Sequence, residues 1–478
     1  MGAAGGYTLD VQRAALPAWL ARVAALQGLG APDPEARITL LDVGCGQGLG
    51  VAVTAALHPR ASVHGLDIDR AQLAHAASLA DAAGLPNAVF HAGDAGALAG
   101  TVPAADLIVA HGLYTWLDRP GRDGVVALLR RCARPGALVY LGTNTSPGWA
   151  AADPLRHVIA EHAKRVDGDG PARVKAGFNL AEDLRAAGAA SLAEGSRAAA
   201  VMDDLAGRTA PYLAHDLLAG GWAPADPAEL SRELAPAGLR WAGSADPLDA
   251  VTPCDGDAPA DPILAETLRD LARVRSFRRD LFVRGEPHPA DSVGPVVLAA
   301  SPPPDAGDGA TRVAAALADG AGDETDLANR TGMDAGHVRA GVAPLLASGH
   351  ALPWRPEVPE AARAACARLN GVLARRAAEG QAYRLLAAVN TGAAVPASLV
   401  EMLALDALAA GVLAEAAALG PALADRLAAV DEPLLRDGQP LLDPAAVAAE
   451  AEGRAATLIA DTLPRWRTLG VEAVPPGI

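Results

Sequence analysis

Short apolar segments alternate with segments of helical periodicity over the first part of the chain. Five apolar segments predict strands, and they read ITLLDVG, SVHGLD, AVFHAGD, DLIVAHG and ALVYLGT. Helices are predicted between them, near 50–57, 69–83 and 121–133. Because apolar strands separated by helices form βαβ units, the pattern predicts an α/β fold with a doubly wound, mainly parallel, Rossmann-like sheet over residues 1–150.

The pattern changes after this first domain. Residues 151–284 are mainly helical in pattern, with an apolar segment at 239–244, and we expect a second domain there. Residues 285–311 are rich in proline, glycine and aspartate, which is typical of a linker. The pattern of 312–478 is almost wholly helical and predicts a third, helical domain.

The composition is that of a globular protein with an acidic surface. Hydrophobic residues make up 51% of the chain, and 40 basic against 56 acidic residues give a net charge of -16. A charge of this sign argues against a chain that coats nucleic acid or an anionic membrane. The apolar stretch 402–424 is interrupted by Asp406 and Glu415, so we expect no membrane span.

Cysteine usage and the N-terminal sequence favour a reducing compartment. The cysteines are scattered, with no CxxC pair and no cluster with histidine, so the sequence predicts neither a disulfide framework nor a metal site. They are Cys45, Cys132, Cys254 and Cys366. The first residues, MGAAGGYTLD, contain no basic flank followed by an apolar core. We therefore expect a cytoplasmic protein.

A glycine-rich loop, LLDVGCGQGLG, follows the first predicted strand. Its spacing is G-x-G-x-G and not the dinucleotide pattern G-x-G-x-x-G, because Leu49 and Val51 occupy the positions where that pattern needs glycine. With an acidic residue two positions before the first glycine, the loop resembles motif I of class I S-adenosylmethionine-dependent methyltransferases. A nicotinamide enzyme and a simple tight turn are the alternatives from this loop alone. The candidate cofactor contacts in the loop are Asp42, Gly44, Cys45, Gly46, Gln47 and Gly48.

Acidic residues also end the second and third predicted strands. Asp67, followed by Ile68, is placed where a carboxylate accepts from both ribose hydroxyls of a nucleoside cofactor. Asp94 is placed to accept from an adenine amino group, and Ala95 to supply a backbone amide. Each aspartate alone also fits a loop or a helix cap. Three acids at three successive strand ends favour a site for S-adenosyl-L-methionine, with S-adenosyl-L-homocysteine as the product.

Two later segments narrow the family. The segments AHGLYTWLDRPGRD (110–123) and VYLGTNTSPGW (139–149) resemble hallmark segments of bacterial methyltransferases that carry a methyltransferase regulatory domain. The matching residues are His111, Gly112, Tyr114, Thr115, Trp116, Asn144, Thr145, Pro147, Gly148 and Trp149. GYTLDV near the start, PYLAHDLL (211–218) and FRRDLFVRG (277–285) extend the resemblance, which covers at least residues 6–285.

This resemblance implies an acceptor and a domain assignment. The family includes rickettsial protein-lysine methyltransferases that act on an outer-membrane protein, so it implies a protein lysine as the acceptor and 151–284 as the regulatory, or cap, domain. Tyr212 and His215 would then belong to the cap over the site, although an exposed helix surface is the plainer interpretation. Thr115 replaces the usual serine, and Thr143 stands where tyrosine is more common, which leaves room for a different acceptor. A small-molecule methyltransferase and a cofactor-binding regulatory protein without turnover remain as alternatives.

Methyl transfer requires alignment and no covalent residue, because the reaction is an in-line displacement at a sulfonium carbon. Tyr114, Trp116 and Trp149 are candidates for an aromatic channel that desolvates the acceptor amine, unless the tryptophans only pack the top of the sheet. His111 is a candidate general base or polar positioner and a candidate cofactor contact. Asn144 is a candidate for orienting the acceptor amine.

The remaining charged segments carry weaker signals. The arginine-rich stretch contains Arg269, Arg273, Arg275, Arg278, Arg279 and Arg284. Because Asp270 and Asp280 interrupt it, a solvated, salt-bridged helix face is favoured over a surface for an acidic substrate segment.

The spacing of the predicted helices at the start of the third domain, 311–354, is typical of a helix-turn-helix or winged-helix unit. Its three arginines against five acids predict no nucleic-acid binding, since phosphate neutralisation needs clustered cations. We expect protein docking or a homodimer through the C-terminal region, or a helical appendage that completes the core.

Overall fold

The computed structural model describes residues 9–471 except 219–220, 252–258, 291–292, 303–305 and 437–438. Cys254 and the first three residues of the GYTLDV segment lie outside the described residues.

All five predicted strands of the first domain are present. They are β1 (Thr39–Val43), β2 (Ser62–Asp67), β3 (Ala88–Ala92), β4 (Ala105–His111) and β5 (Ala133–Asn144). The helices are α1 (Pro17–Leu26), α2 (Leu49–Leu57), α3 (Arg70–Ala82), α4 (Ala95–Leu98) and α5 (Arg119–Cys132). Alternate residues of each strand enter the cores on the two faces: Leu40 and Val63 pack on one face, Leu41 and Ile108 on the other. Burial on both faces explains the apolar runs of β1, β4 and β5, whereas β3 at the edge of the sheet is only partly buried.

Two further strands complete the sheet, β6 (Leu239–Ser244) and β7 (Phe277–Arg284). The strand order is β3-β2-β1-β4-β5-β7-β6, with β7 antiparallel to both of its neighbours and the remaining pairs parallel. The predicted doubly wound, mainly parallel sheet is therefore confirmed. Both added strands lie within residues 151–284, which the sequence analysis assigned to the second domain. Part of that range therefore belongs to the sheet of the first domain.

Apart from β6 and β7, the chain from the end of the first range through the second range is helical. Its helices are α6 (Ser146–Trp149), α7 (Asp153–Ala163), α8 (Gly170–Ala186), α9 (Arg197–Ala206), α10 (Ala210–Leu218), α11 (Pro227–Leu234), α12 (Pro247–Val251) and α13 (Pro262–Arg273). Helices α7 to α10 surround a separate core that includes Ile159, Phe178 and Met202. We call these four helices the cap.

The C-terminal region is mostly helical, with short hairpins. Its helices are α14 (Asp308–Ala318), α15 (Glu324–Thr331), α16 (Ala335–Ser348), α17 (Glu360–Ala378), α18 (Leu399–Ala409), α19 (Ala416–Ala429), α20 (Pro444–Thr457) and α21 (Leu463–Leu469). Its strands are β8 (Val296–Leu298), β9 (Ala351–Pro353), β10 (Leu385–Ala388), β11 (Ala393–Pro396), β12 (Leu435–Arg436) and β13 (Gln439–Pro440). Strand β8 lies within the predicted linker and pairs with β9. The winged-helix assignment of 311–354 stays a prediction.

The C-terminal region shares a core with the first domain. Leu369 and Leu386 belong to the same buried cluster as Val51 of α2 and Val63 of β2. Arg355 of the C-terminal region also forms a hydrogen bond to the first domain, because its guanidinium donates to the Leu57 carbonyl at 3.1 Å. This packing agrees with the appendage interpretation, and a homodimer stays a prediction.

The arginine-rich stretch is not a solvated face, contrary to the sequence interpretation. Arg278 of β7 is 1% exposed, and its guanidinium donates to Asp270 at 2.6 Å and to Asp280 at 2.6 Å. Both carboxylates are fully buried, and Glu266 accepts from the same guanidinium at 3.0 Å. The interruption of arginines by aspartates therefore reflects a buried ion network that joins α13 to β7.

Among the described residues, no helix is both long and apolar enough to cross a bilayer.

Candidate active site

The glycine loop makes a tight turn between β1 and α2. Gly44, Gly46 and Gly48 have φ values of 79°, 54° and 71°, a region that favours glycine. A Cβ added to Gly48 would lie 2.3 Å from the Cβ of Ala76, so α3 leaves no room for a side chain there. The amide of Gly44 donates to the Leu66 carbonyl at 2.8 Å, which ties the loop to the end of β2.

Asp67 is placed beside this loop. Its carboxylate accepts from the Gly46 amide at 2.8 Å and from the Asp69 amide at 2.9 Å. The next side chain, Ile68, is 74% exposed. A bare apolar side chain next to a fixed carboxylate suits the ring and the sugar of a nucleoside.

Asp94 has the helix-cap role that the sequence left open. Its carboxylate accepts from the Gly96 amide at 2.8 Å and caps α4, which begins at Ala95. Neither Asp94 nor Ala95 lines the central cavity described below. Their contact with a cofactor stays a prediction.

Asp42 lies under the loop, and its environment changes its acidity. Burial, and secondarily the charge of Asp67, raise the pKa of the Asp42 carboxyl to about 7. The same burial raises the pKa of the Cys45 thiol. No side chain of the described residues pairs with the Asp42 carboxylate, which faces the cavity.

A cavity of about 480 Å3 joins the loop, the ends of β4 and β5, the cap and the N-terminal segment. Of the predicted site residues, the cavity is lined by Asp42, Gly44, Cys45, Gly46, Gln47, Gly48, His111, Trp116, Asn144 and Trp149. The predicted residues that do not line it are Asp67, Ile68, Asp94, Ala95 and Tyr114. The cavity therefore brings the predicted cofactor loop and most of the predicted acceptor residues together.

His111 is held in a neutral form. Its Nδ1 lies 2.8 Å from the Tyr140 hydroxyl, and its ring is stacked 5.9 Å from the Tyr140 ring. Burial, with a contribution from the charge of Arg279, lowers the pKa of His111 to about 3. Because a base this weak is poorly matched to neutral pH, the geometry favours a polar positioning role over general-base catalysis.

Tyr114 faces away from the cavity. It is 1% exposed, and its hydroxyl donates to Glu233 of α11 at 2.6 Å. The Arg122 guanidinium lies 5.2 Å from the centre of its ring. The structure therefore does not bring Tyr114 to the acceptor residues, and its contacts are those of a packing residue.

Three tryptophans form a cluster at the strand ends. The ring centres of Trp116 and Trp222 are 4.6 Å apart, and those of Trp149 and Trp222 are 4.7 Å apart. The segment that carries Trp222 is hydrogen-bonded across both strand ends, since the Ala223 and Ala225 amides donate to the carbonyls of Thr115 and Asn144, at 2.9 and 3.1 Å. Sequence reasoning missed Trp222, whose only signal was an isolated tryptophan among scarce aromatics.

Asn144 orients this cluster. Its Oδ1 accepts from the Trp149 indole N–H at 3.1 Å, and its Nδ2 donates to the Thr115 hydroxyl at 3.3 Å. Gly148 fixes the same loop, because a Cβ there would lie 2.4 Å from the Cα of Ser276. The Asn-Thr-x-Pro-Gly-Trp pattern is thus a requirement for placing Trp149.

The cap adds polar residues that the sequence did not single out for the cavity. These lining residues are Asp204, Leu205, Arg208, Tyr212 and Asp216. Asp216 is 7% exposed and forms a hydrogen bond with the Tyr212 hydroxyl, and burial, followed by the charge of Asp216, raises the pKa of that phenol. Together with Asp42, the aspartates give the cavity an acidic lining with one cation, Arg208. The implied cap role of Tyr212 agrees with this position, whereas His215 contacts the Trp116 ring from outside the lining.

Comparisons with known proteins match two parts of the chain. Residues 40–136 match a family model described as a methyltransferase domain, and residues 209–284 match one described as a methyltransferase regulatory domain.

Curated relatives cover parts of the chain. An uncharacterized protein of Synechocystis is 27% identical over 289 residues, which are 59% of this chain and 57% of that protein. An uncharacterized protein of Rickettsia prowazekii is 26% identical over 148 residues, 31% of this chain and 59% of that protein. The malonyl-[acyl-carrier protein] O-methyltransferase of Halalkalibacterium halodurans is 31% identical over 107 residues, 22% of this chain and 38% of that protein. The chain therefore spans from about two fifths to three fifths of the length of these relatives.

A solved structure shares the whole fold. PKMT2 from Rickettsia typhi, in complex with AdoHcy, has a TM-score of 0.70 at 15% identity and covers 97% of this chain and 99% of its own. At this identity the likeness shows a common fold. The glycine loop lies within the first family match and α10 of the cap lies within the second, so the chain contains a methyltransferase domain and a methyltransferase regulatory domain.

Proposed function

We propose that this chain transfers a methyl group from S-adenosylmethionine to the side-chain amine of a lysine residue in a protein. The observation that carries the proposal is the cluster of Trp116, Trp149 and Trp222, of which the first two line the same cavity as the glycine loop. The sequence resemblance to protein-lysine methyltransferases supports it. The fold shared with PKMT2 over nearly the whole of both chains is also consistent with it.

On this proposal the cofactor lies along the glycine loop. When bound, it supplies a methyl group on a sulfonium that is displaced in line. Asp42 pairs with the amino group of its methionine part, and Asp67 accepts from the ribose hydroxyls. Ile68 packs against the adenine ring, and Asp94 and Ala95 bind the adenine edge.

The acceptor amine enters the cavity along Trp116 and Trp149, which line it. An apolar aromatic environment disfavours the ammonium form and lowers the lysine pKa, so that the neutral amine is available as the nucleophile. Outside the cluster, the carboxylates of Asp204 and Asp216 attract the cationic side chain before it is desolvated. Neutral His111 and Asn144 then hold polar positions beside the reacting groups.

The test combines binding with label transfer. The purified chain is titrated with S-adenosylhomocysteine by calorimetry, and is then incubated with methyl-labelled cofactor and a bacterial lysate that is separated by size. We expect binding, and label on lysine side chains in the protein fraction, as read by mass spectrometry. Trp222→Ala is expected to lower the label at least tenfold while its affinity for S-adenosylhomocysteine stays within about twofold, since Trp222 packs on Trp116 and Trp149 and does not contact the glycine loop.

The other outcomes separate the alternatives. Label confined to the small-molecule fraction identifies a small-molecule methyltransferase. Binding without any transfer identifies a regulatory protein that does not turn over. Loss of S-adenosylhomocysteine affinity in Trp222→Ala moves the tryptophan cluster from the acceptor to the cofactor.

A further inference from the structure

A second cavity, of about 560 Å3, adjoins the first, and both are lined by residues 10–12 of the N-terminal segment. Its other walls come from the residues after β6, from β7, and from the β10–β11 hairpin of the C-terminal region. Three arginines from distant parts of the sequence, Arg13, Arg279 and Arg384, line it. Nothing in the methyl-transfer chemistry above uses this cavity.

None of the three guanidinium groups forms an ion pair with a carboxylate of the described residues. Arg13 lies 4.6 Å from the centre of the Trp19 ring and donates to the Ala347 carbonyl at 3.5 Å. Arg384 donates to the Tyr383 carbonyl at 2.7 Å. The Arg279 guanidinium lies 5.4 Å from the centre of the Phe277 ring, and Phe277 also lines the first cavity.

Three arginines against two aspartates, Asp10 and Asp246, give the lining a positive excess, and the charge of Glu432 acts on Arg384 alone among the three. Burial, together with the charge of Arg279, lowers the pKa of Arg13, which means that its cationic form is disfavoured in the folded protein. The two acids in the lining, Asp10 and Asp246, accept local hydrogen bonds from the Val11 and Leu248 amides at 2.8 and 3.0 Å. In a chain with 56 acidic and 40 basic residues, three arginines that converge without carboxylate partners are an exception.

We propose that the second cavity is a binding site for an oxyanion ligand, whose phosphate or carboxylate groups are held by Arg13, Arg279 and Arg384. The planar guanidinium fork matches both kinds of oxyanion in a bidentate geometry. The volume lies in the range of small-ligand sites, which run from about 300 to 1,000 Å3. The site is independent of which acceptor is methylated.

The position of Arg279 places this ligand next to the methyl-transfer site. Arg279 forms a hydrogen bond with the Tyr140 hydroxyl, which in turn lies 2.8 Å from His111 Nδ1. Arg279 itself therefore lies two hydrogen bonds from His111, which lines the first cavity, and an anion bound to Arg279 lies three away. This arrangement connects occupancy of the second cavity to the electrostatics of the first.

The experiment is calorimetric titration of the full chain, at low ionic strength, with pyrophosphate, with citrate and with a hexaglutamate peptide. We expect at least one probe to bind. Arg13→Gln and Arg384→Gln are each expected to weaken that binding about tenfold or more, because a hydrogen bond to a charged group contributes roughly 1.5–3 kcal/mol. Arg165→Gln is the matched control: it removes the same charge from a side chain that is 67% exposed and far from either lining, and its affinity should equal that of the wild type.

The probes distinguish the sources of the oxyanion. If pyrophosphate binds most tightly, the ligand is a phosphate compound. If citrate binds most tightly, it is a small polycarboxylate, and if hexaglutamate does, it is an acidic polypeptide segment. Arg384 is exposed, so its substitution is expected to leave the fold intact, and unchanged titration with S-adenosylhomocysteine verifies this. The proposal is overturned if no probe binds, or if Arg165→Gln loses as much affinity as the two cavity variants.

Discussion

Burial in the fold changes the acidity of the Asp42 carboxyl, and this change affects how Asp42 can bind a cationic group. Its carboxyl has a pKa of about 7, so it changes from the neutral to the ionised form across the physiological range. An ion pair with a cationic amino group requires the ionised form. The raised pKa therefore makes ligand affinity depend on pH if Asp42 binds that amino group.

We predict that affinity for S-adenosylhomocysteine rises roughly tenfold between pH 6 and pH 8, since a carboxyl with this pKa is about one-tenth ionised at the lower value and about nine-tenths at the higher. Asp42→Asn should bind more weakly at pH 8 and show little dependence on pH. Calorimetric titration at several pH values measures both. A wild-type affinity that stays constant over this range contradicts the assignment of Asp42.

The stability of the ligand-free protein provides a control, because its expected dependence on pH has the opposite sign to that of the binding affinity. A carboxyl whose folded pKa is raised loses stability as pH rises from its unfolded value, about 4, through its folded value. Asp42→Asn should therefore melt at a higher temperature than the wild type at pH 8, and the difference should shrink towards pH 5. A higher midpoint with weaker binding would show that the lost affinity is not a loss of fold.

At the scale of elements, the joint between α13 and β7 depends on one buried cation. Arg278 contacts Glu266, Asp270 and Asp280, and Asp270 also accepts from the Thr145 hydroxyl at 3.2 Å, at the end of β5. Removal of one partner from a buried ion network leaves uncompensated charges in a medium that solvates them poorly. This joint therefore supports the loop that places Trp149.

We predict that Arg278→Leu lowers the free energy of unfolding by about 3–5 kcal/mol, because buried Asp280 loses its cation while Glu266 and Asp270 keep only their pairs with Arg269 and Arg275. Arg240→Gln, in an exposed pair with Glu286, should change it by less than about 1 kcal/mol. Urea unfolding followed by circular dichroism compares the two. Equal and small losses would mean that water reaches the network.

The elements also show what the sequence could and could not predict. The central strands β1, β4 and β5 are mostly buried and apolar, and the spacing of all five strands between predicted helices identified them. Strand β7 was not recognised as part of the sheet, because Arg278 and Asp280 are buried through mutual pairing, and a sequence pattern cannot show which charges pair. The glycine loop was recognisable from backbone requirements, whereas the place of Trp222 depends on hydrogen bonds from its flanking residues to Thr115 and Asn144.

At the scale of the whole molecule, the C-terminal region reaches the cofactor loop. The Tyr383 hydroxyl lies 2.8 Å from Nε2 of His75, and Nδ1 of the same ring lies 3.3 Å from the Gln47 carbonyl. Tyr383 is fully buried, and Arg376 also donates to its hydroxyl, at 3.3 Å. A side chain of α3 is thus held between the C-terminal region and a loop that lines the first cavity.

We predict that Tyr383→Phe weakens affinity for S-adenosylhomocysteine about three- to tenfold, since it removes the hydrogen bond that fixes His75 under the loop, and a typical hydrogen bond contributes roughly 0.5–1.5 kcal/mol. Ser398→Ala is the matched control, because it removes the cap of α18 in the same region and costs about 1 kcal/mol of stability without touching the loop. Thermal unfolding and calorimetry on both variants separate the effects. Comparable destabilisation with a loss of affinity only in Tyr383→Phe supports a positioning role for the C-terminal region, whereas unchanged affinity in Tyr383→Phe would reduce that region to a packing appendage.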